Sequence, residues 1–432
     1  MRGRFSVGKE VHSPSLNLAA LFSIVLLLLA GCSYNGPSNN AATPGGNTTT
    51  GLKKRVLISN QQTGTVFIVD AQRDQMSNAV LTAPGGSKMI TTGGFTAVLE
   101  SGTNNTVNFI NDSTEVAVPQ IALPASVEDI ALKADGSVAY AAVRDAGVVN
   151  AVAQTGGSNI PVTVPTARRL AISPNGTKLL AFADDPQTLA TPNAFFVIDT
   201  ATLAVAMIAP PANAPGILDQ PFTAVFNNSE TQAFILNCGP ECGGKSASVT
   251  LVDFSGPTPN FIGSTPVAGA TVGLLNGSTL FVAGSPPGAP NAMGALETIN
   301  ANTLGLSSSI FIPTDGLHLK MQLAGNNRLY IGSQTCTPGP GTSSQMVQGC
   351  LTIFNTGTGA SVRPQVSSAR INFDVTGIQP ISHRNVVYVC QGGGIDILDT
   401  TTDALAATQL QPSPQGTQVP IGKLFDVVQI DP

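Results

Sequence analysis

Histidine, on which many metal sites and acid–base catalysts depend, occurs only three times in this chain of 432 residues. The three are His12, His318 and His383, so a cluster of histidines around a metal ion is nearly excluded. A Ser-His-Asp triad would need His318 or His383, and the sequence has no CxxCH motif and no Gly-rich phosphate loop. We therefore assign no catalytic residue, metal ligand or cofactor, and an enzymatic role is left open but disfavoured.

Four cysteines form two pairs that are close in sequence. Cys238 and Cys242 enclose CGPEC, and Cys336 and Cys350 bracket the longer CTPGPGTSSQMVQGC. A metal site is the alternative to two disulfides, but neither stretch contains a His or a second CxxC. Disulfides are favoured in an exported chain, because they persist in oxidising compartments. Cys390, within VVYVCQ, is interpreted as a buried thiol that packs as a small hydrophobe.

The domain consists of repeated units of short predicted strands, and polar residues lie where the first strand of several units begins. They are Lys88, Glu128, Asp129, Arg168, Arg169, His318, Lys320 and Asp426. If these strands line one channel, the residues cluster at its mouth, where mixed charges could bind a small polar ligand or a metal ion. The alternative is a solvated rim, because charged side chains usually stay exposed.

The N-terminal residues 1–31 predict a signal peptide. Arg2, Arg4 and Lys9 precede an apolar run, LNLAALFSIVLLLLA, which is shorter than the ~20 residues that a spanning helix needs. The run ends in LAGC, which resembles the bacterial lipobox, and this resemblance implies that Cys32 is lipidated. The alternative is an ordinary signal or a membrane anchor that happens to contain Cys.

The remaining chain divides into a linker and one folded domain. Residues 32–52 begin with the lipidated Cys and continue with Ser, Asn, Gly and Pro, which predicts a flexible linker. Residues 53–432 form the predicted domain. The chain is 42% hydrophobic and 10% charged, with 45 Gly and 31 Pro, which indicates a sizeable core with many turns. Its sparse, slightly acidic charge disfavours a nucleic-acid partner.

One pattern recurs along the domain: an apolar strand that ends in Asp or Asn before a turn. Clear copies end at Asp70, Asn111, Asp199, Asp253, Asn300, Asn355 and Asp399, and a degraded copy, VVNAVAQ, lies near Ala153. A second apolar strand precedes each copy, often after an Asn-Gly or Asp-Gly hairpin turn. Four short strands per unit predict an all-β propeller of eight blades, or seven if the degraded copy is misread. Unrelated hairpins in a β-sandwich explain the repetition less well.

The two ends of the domain predict how the ring closes. The first unit begins at Arg55 with its second strand, and the chain finishes with KLFDVVQIDP, a strand without a unit of its own. Pairing of residues 425–430 with the first blade would supply its inner strand. It would also cover an edge that otherwise invites aggregation.

The repeats resemble the YVTN family of β-propeller repeats. SPNGTKLLAFADD and FFVIDTATLAV are similar to its Ser-Pro-Asp-Gly turn and its Val-x-Val-Ile-Asp-Thr strand, and LISN at residues 57–60 stands in its Tyr-Val-Thr-Asn position. The resemblance covers roughly residues 53–432 and implies the propeller fold. It implies little about activity, because propellers host enzymes, binders and scaffolds alike.

Together these observations predict a lipid-anchored protein of the bacterial cell envelope. Ser33, rather than Asp, follows the lipidated Cys, which by analogy implies export to the outer membrane; which side of that membrane the domain faces, periplasm or surface, is left open. The leading function is non-enzymatic binding or scaffolding of an envelope protein or a polysaccharide through the two cysteine-enclosed loops. The alternatives are a lactonase-like hydrolase that uses His318 and Glu128, and a structural coat protein.

Overall fold

The computed structural model describes residues 49–61, 65–82, 86–100, 105–118, 120–156, 159–289, 293–341, 343–367, 373–414, 419 and 424–431. The predicted signal peptide, Cys32 and the linker up to residue 48 lie outside these ranges and remain predictions. Within the described ranges no helix is long and apolar enough to cross a bilayer. The helical segments there are three 3-10 turns, at Arg144–Ala146, Pro186–Thr188 and Gly239–Cys242.

The strands form eight antiparallel blades of four strands each. In blades 2 to 8 the four strands follow chain order from the channel outward, and in blade 1 the last strand of the chain is innermost. Blade 1 contains β1 (Arg55–Asn60), β2 (Thr65–Asp70) and β3 (Gln75–Thr82). Blade 2 contains β4 (Gly86–Thr92), β5 (Phe95–Glu100), β6 (Thr106–Asn111) and β7 (Val116–Ala117), and β8 (Ile121–Ala122) also pairs with β6. Blade 3 contains β9 (Asp129–Leu132), β10 (Val138–Val143), β11 (Val148–Ala153) and β12 (Asn159–Thr163). Blade 4 contains β13 (Ala167–Ile172), β14 (Lys178–Ala183), β15 (Phe195–Asp199) and β16 (Val205–Ile208).

The second half of the ring repeats the arrangement. Blade 5 contains β17 (Pro221–Phe226), β18 (Gln232–Asn237), β19 (Ser248–Asp253) and β20 (Asn260–Pro266). Blade 6 contains β21 (Val272–Asn276), β22 (Thr279–Gly284), β23 (Gly294–Asn300) and β24 (Leu306–Ile312). Blade 7 contains β25 (His318–Ala324), β26 (Arg328–Ser333), β28 (Leu351–Asn355) and β29 (Ser361–Val362), with a small extra sheet of β27 (Met346–Gln348) and β30 (Gln365–Ser367). Blade 8 contains β31 (Val375–Pro380), β32 (Val386–Gln391), β33 (Gly394–Asp399) and β34 (Ala404–Leu405).

The last strand, β35 (Leu424–Gln429), closes the ring as the inner strand of blade 1. It pairs antiparallel to β1, with Val56 opposite Gln429 and Ile58 opposite Val427. The predicted propeller, its eight blades and its closure by the C-terminal strand are thus confirmed. The degraded copy near Ala153 is a true third strand, β11, because its apolar residues Val149 and Val152 remain fully buried.

The core lies between neighbouring blades. In each second strand every residue after the first is buried, and β32 is buried throughout. Both faces of these strands are covered by other blades, which explains why they read as continuous apolar runs rather than as alternating patterns. One such cluster joins Tyr388 and Ile397 of blade 8 to Val56 and Val427 of blade 1, so packing reinforces the closure. Residues 47–432 form one compact unit.

The recurring Asp and Asn residues form turns, as predicted. The Oδ1 of Asp199 accepts hydrogen bonds from the backbone N–H groups of Ala201 and Thr202 at 3.0 and 2.8 Å. The equivalent residues Asp70, Asn111, Asp253, Asn300, Asn355 and Asp399 each accept a hydrogen bond from the N–H group two positions later. Such Asx turns fix the reversal between third and fourth strands, so these residues have a structural role.

Candidate functional site

We call the end of the ring at which the inner strands begin the entry face. Because the blades are antiparallel, loops between second and third strands lie on this face as well. In blades 2, 4 and 7 a register shift between inner and second strands immediately precedes Lys88, Arg169 and Lys320. A bulge re-aims the side chain that follows it. Lys88, Arg169 and Thr223 line a channel cavity of about 150 Å³.

Asp129 in β9 links three neighbouring blades. Its Oδ1 accepts hydrogen bonds from Lys88 Nζ of blade 2 and, at 3.0 Å, from the N–H group of Ile130. Its Oδ2 accepts a hydrogen bond from the N–H group of Leu170 in blade 4 at 2.9 Å. Because the carboxylate is buried and receives donors on both oxygens, it is compensated inside the ring.

Asp426 in β35 repeats this arrangement in blades 7, 1 and 2. Its carboxylate accepts hydrogen bonds from the N–H groups of Met89 in blade 2 at 2.8 Å and of Val427 at 3.0 Å. Lys320 Nζ lies 3.3 Å from Asp426 Oδ1, although blade 8 separates their strands. Gly377 of blade 8 permits this contact, because a Cβ atom there would lie 2.8 Å from the same oxygen. The two Lys–Asp pairs are internal cross-links of the ring.

Glu128 and Arg168 belong to an ion-pair network on blades 3 and 4. Arg144 Nη1 lies 2.8 Å from Asp184 Oδ2, and Arg168 pairs with the other oxygen of that carboxylate. Glu128 lies 3.9 Å from Arg144 and 3.7 Å from Arg168. Burial alone would raise the pKa of Asp184, but the two arginines hold it below its usual value. The side chains are partly exposed, so the network forms a solvated rim in which each pair contributes little.

His318 faces the interior of blade 7. Its side chain is fully buried, and its Nε2 lies 3.3 Å from Thr314 Oγ1. Burial lowers the pKa of His318 to about 4, so the imidazole is neutral at pH 7. Glu128 stands before blade 3, four blades away in a ring of eight. The structure therefore does not bring His318 and Glu128 together.

His383 lies at the opposite face, in the turn between β31 and β32. It borders a cavity of about 510 Å³. The charged groups of that cavity are paired internally: Arg384 with Asp74, and Asp431 with Arg55 at 2.7 Å. Throughout the described residues, no group of three or more His, Cys, Asp or Glu side chains could hold a metal ion.

Both predicted disulfides are formed. Cys238–Cys242 lies in the β18–β19 loop of blade 5, with a Cα–Cα distance of 5.7 Å. Cys336–Cys350 lies in the β26–β28 loop of blade 7, with a Cα–Cα distance of 5.5 Å. Cys390 is fully buried in β32, as predicted. Both enclosed loops connect second to third strands and so belong to the entry face.

Hydrogen bonds through blade 6 connect the two disulfide loops. Glu241, inside the first loop, accepts a hydrogen bond from the N–H group of Ser285 at 2.8 Å. The hydroxyl of Ser285 donates to the carbonyl oxygen of Gly316 at 2.6 Å. The adjacent Asp315 accepts hydrogen bonds from the N–H and hydroxyl groups of Thr337, in the second loop, at 2.7 and 2.8 Å. We call the surface formed by the two disulfide loops together with Ser285, Asp315 and Gly316 the loop platform.

The residues that organise this region were only partly visible in the sequence. Glu241 stands inside the predicted loop CGPEC, but its partner Ser285 is 44 residues away and no local pattern announces the contact. Arg169 stands in the predicted polar set, whereas Phe222, whose ring lies 5.0 Å from its guanidinium carbon, comes from the next blade. Gly377 has no side chain, so the sequence alone does not indicate that it makes room for the Lys320–Asp426 contact.

No protein-family model matches the sequence, and no curated protein matches it significantly; the resemblance to YVTN repeats stays a prediction. Solved structures share the fold. Dihydro-heme d1 dehydrogenase NirN in complex with DHE aligns with a TM-score of 0.61 at 10% identity, over 88% of this chain and 75% of that chain. Apo AztD from Citrobacter koseri aligns with a TM-score of 0.55 at 11% identity, over 87% of this chain and 98% of that chain. At these identities the likeness shows the fold alone, and the chain is an eight-bladed β-propeller.

Proposed function

We propose that this chain is a lipid-anchored propeller of the bacterial cell envelope that binds an envelope protein or a polysaccharide through its loop platform. The observation that carries the proposal is a set of three successive entry-face loops. Two of them are each closed by a disulfide of their own, and all three are joined by the Glu241–Ser285, Ser285–Gly316 and Asp315–Thr337 hydrogen bonds. A surface that is fixed before binding loses less conformational entropy when a partner docks.

The composition of the second disulfide loop, between Cys336 and Cys350, favours recognition over catalysis. The loop between Cys336 and Cys350 consists mainly of Gly, Pro, Ser, Thr and Gln and carries no charged residue. Such residues offer hydrogen-bond donors and acceptors to a polar partner but no acid or base near neutral pH. The hydrolase alternative has less support, because His318 is neutral and enclosed and Glu128 is held by two arginines.

The anchor is proposed from the sequence. LAGC at residues 29–32 and the preceding basic and apolar segments support export and lipidation of Cys32, with the outer membrane as destination. Expression of the full chain with labelled palmitate should label the wild type and leave Cys32→Ser unlabelled. Equal labelling of both would exclude this anchor.

Partner binding is tested by capture of envelope proteins and envelope polysaccharides on immobilised residues 47–432. The loop variant combines Cys336→Ala and Cys350→Ala with a short Gly-Ser link in place of residues 337–349. We expect one specific partner that this variant loses and that His383→Ala, a change on the opposite face, retains. Retention by a correctly folded loop variant, or no specific capture by the wild type, contradicts the proposal.

A further inference from the structure

The channel cavity of about 150 Å³ is lined by a positively charged side chain that forms no ion pair within the described protein. The cavity lies among the inner strands of blades 2 to 7 and is far larger than the ~10–15 Å³ that one water molecule requires. Its charged lining residues are Lys88, Asp129 and Arg169. Lys88 and Asp129 neutralise each other, so the lining carries one net positive charge.

Arg169 is that uncompensated charge. Its guanidinium makes no hydrogen bond or ion pair with any residue that the structure describes, and its Nε is buried there without a partner. Asp129 is near, but both of its oxygens are occupied by Lys88, Ile130 and Leu170. Burial lowers the pKa of Arg169, yet an arginine stays protonated in proteins. A half-buried guanidinium without an ion-pair partner favours the binding of an anion.

The rest of the lining restricts which anion suits the cavity. The ring of Phe222 stacks against the guanidinium of Arg169 at 5.0 Å, and Leu170, Val272 and Leu319 provide further apolar surface. The hydroxyl-bearing Thr223 lines the same space. A single compensating charge beside an apolar wall suits an organic monoanion better than a dianion such as phosphate, whose second charge would be left unpaired.

We propose that this cavity is a binding site for a small monocarboxylate, with the carboxylate on the guanidinium of Arg169 and the apolar part against Phe222 and Val272. An arginine can hold a carboxylate through two parallel hydrogen bonds. The site is separate from the loop platform and does not depend on the function proposed for it.

Isothermal titration of residues 47–432 with acetate, isobutyrate and benzoate at about pH 8.5 tests the site. The corresponding primary amides serve as uncharged isosteres, and inorganic phosphate, which is mainly a dianion at that pH, serves as the doubly charged comparison. We expect at least one carboxylate to bind, and its amide and phosphate to bind more weakly. Arg169→Gln should lower the affinity for that carboxylate by about tenfold or more. Arg73→Gln, which removes an exposed arginine from an outer turn, should leave the affinity unchanged.

Arg169→Lys serves as a second variant if the Gln substitution disturbs folding; it keeps the charge and should weaken binding because the planar, two-pronged donor is lost. The proposal is overturned if none of the carboxylates binds more tightly than its amide, if phosphate binds more tightly than all of them, or if both folded Arg169 variants bind as the wild type does.

Discussion

A buried polar position recurs in the third strands, three residues before the turn-forming position. Six blades carry a polar side chain there that is at most 6% exposed: Asn108, Asn150, Thr250, Glu297, Thr352 and Asp396. Glu297 Oε1 accepts hydrogen bonds from the N–H group of Ala268 at 3.0 Å and from Ser309 Oγ at 3.3 Å. Its Oε2 is buried without a partner among the described residues. Burial raises the pKa of Glu297 to about 7.

This carboxyl group should make the stability of the propeller depend on pH. Between the ordinary pKa of 4.5 and about 7, the folded protein binds more protons at Glu297 than the unfolded chain does, so the free energy of unfolding falls as pH rises. Glu297→Gln removes this term. We expect the variant to match the wild type near pH 4.5 and to exceed it above pH 7 by on the order of 3 kcal/mol, measured by urea unfolding.

Glu230 provides the control of opposite sign. Burial alone would raise its pKa, but hydrogen bonds from Thr177 and from the N–H group of Asn175 lower it overall. Glu230→Gln should therefore lose stability at neutral pH and regain wild-type stability in acid. Differences from the wild type at each pH cancel the contributions of His318 and Glu241, whose pKa values are also shifted. An equal effect of Glu297→Gln at all pH values would contradict the assignment.

At the scale of elements, the strands were predictable and the bulges were not. The second strands could be recognised because complete burial leaves them uniformly apolar. In a regular strand His318 and Lys320 would share a face, as residues two apart do. The register shift between them breaks that alternation. Lys320 therefore reaches the channel, whereas the side chain of His318 points into the interior of blade 7. The composition of the polar set was visible in the sequence, but its division into paired, rim and buried residues depends on these shifts.

The two disulfides should differ in how much they stabilise the fold. Loop-entropy estimates give about 3 kcal/mol for Cys336–Cys350, which are 14 residues apart, and about 2 kcal/mol for Cys238–Cys242, which are 4 apart. We expect Cys336→Ala/Cys350→Ala to lower the free energy of unfolding more than Cys238→Ala/Cys242→Ala does. Amide exchange should become faster in residues 337–349 only in the first variant. The reverse order of stability would show that native contacts, rather than chain entropy, dominate.

At the scale of the whole molecule, β35 closes the ring by supplying the inner strand of blade 1. The sequence revealed the closure because the first unit lacks an inner strand and the chain ends in an apolar one. The sequence did not reveal the ion pairs beside that strand. Arg55 holds Asp431 through hydrogen bonds of 2.7 and 2.8 Å and also pairs with Glu115 of blade 2 at 2.8 Å. These contacts join residues far apart in the chain, which no local pattern encodes.

Removal of residues 424–432 should therefore open the propeller. The deletion exposes the edge of β1, withdraws Leu424, Val427 and Val428 from the core, and leaves Lys320 without its carboxylate. Each buried aliphatic side chain contributes about 1.5–3 kcal/mol, so the loss is comparable with the ~5–15 kcal/mol net stability of a typical protein. We expect the truncated protein to aggregate or to lose its cooperative unfolding transition.

A synthetic peptide of residues 423–432 should restore the transition by adding back the missing strand, as edge strands accept extended peptides. The same peptide with Val427→Asp should fail, because Val427 is 2% exposed and a carboxylate there would be buried unpaired. If the truncated protein stays monomeric with wild-type stability, or if both peptides rescue it equally, β35 is not the strand that closes the ring. Rescue by the wild-type peptide alone would show that pairing and packing of this strand suffice for closure, without a covalent connection to blade 8.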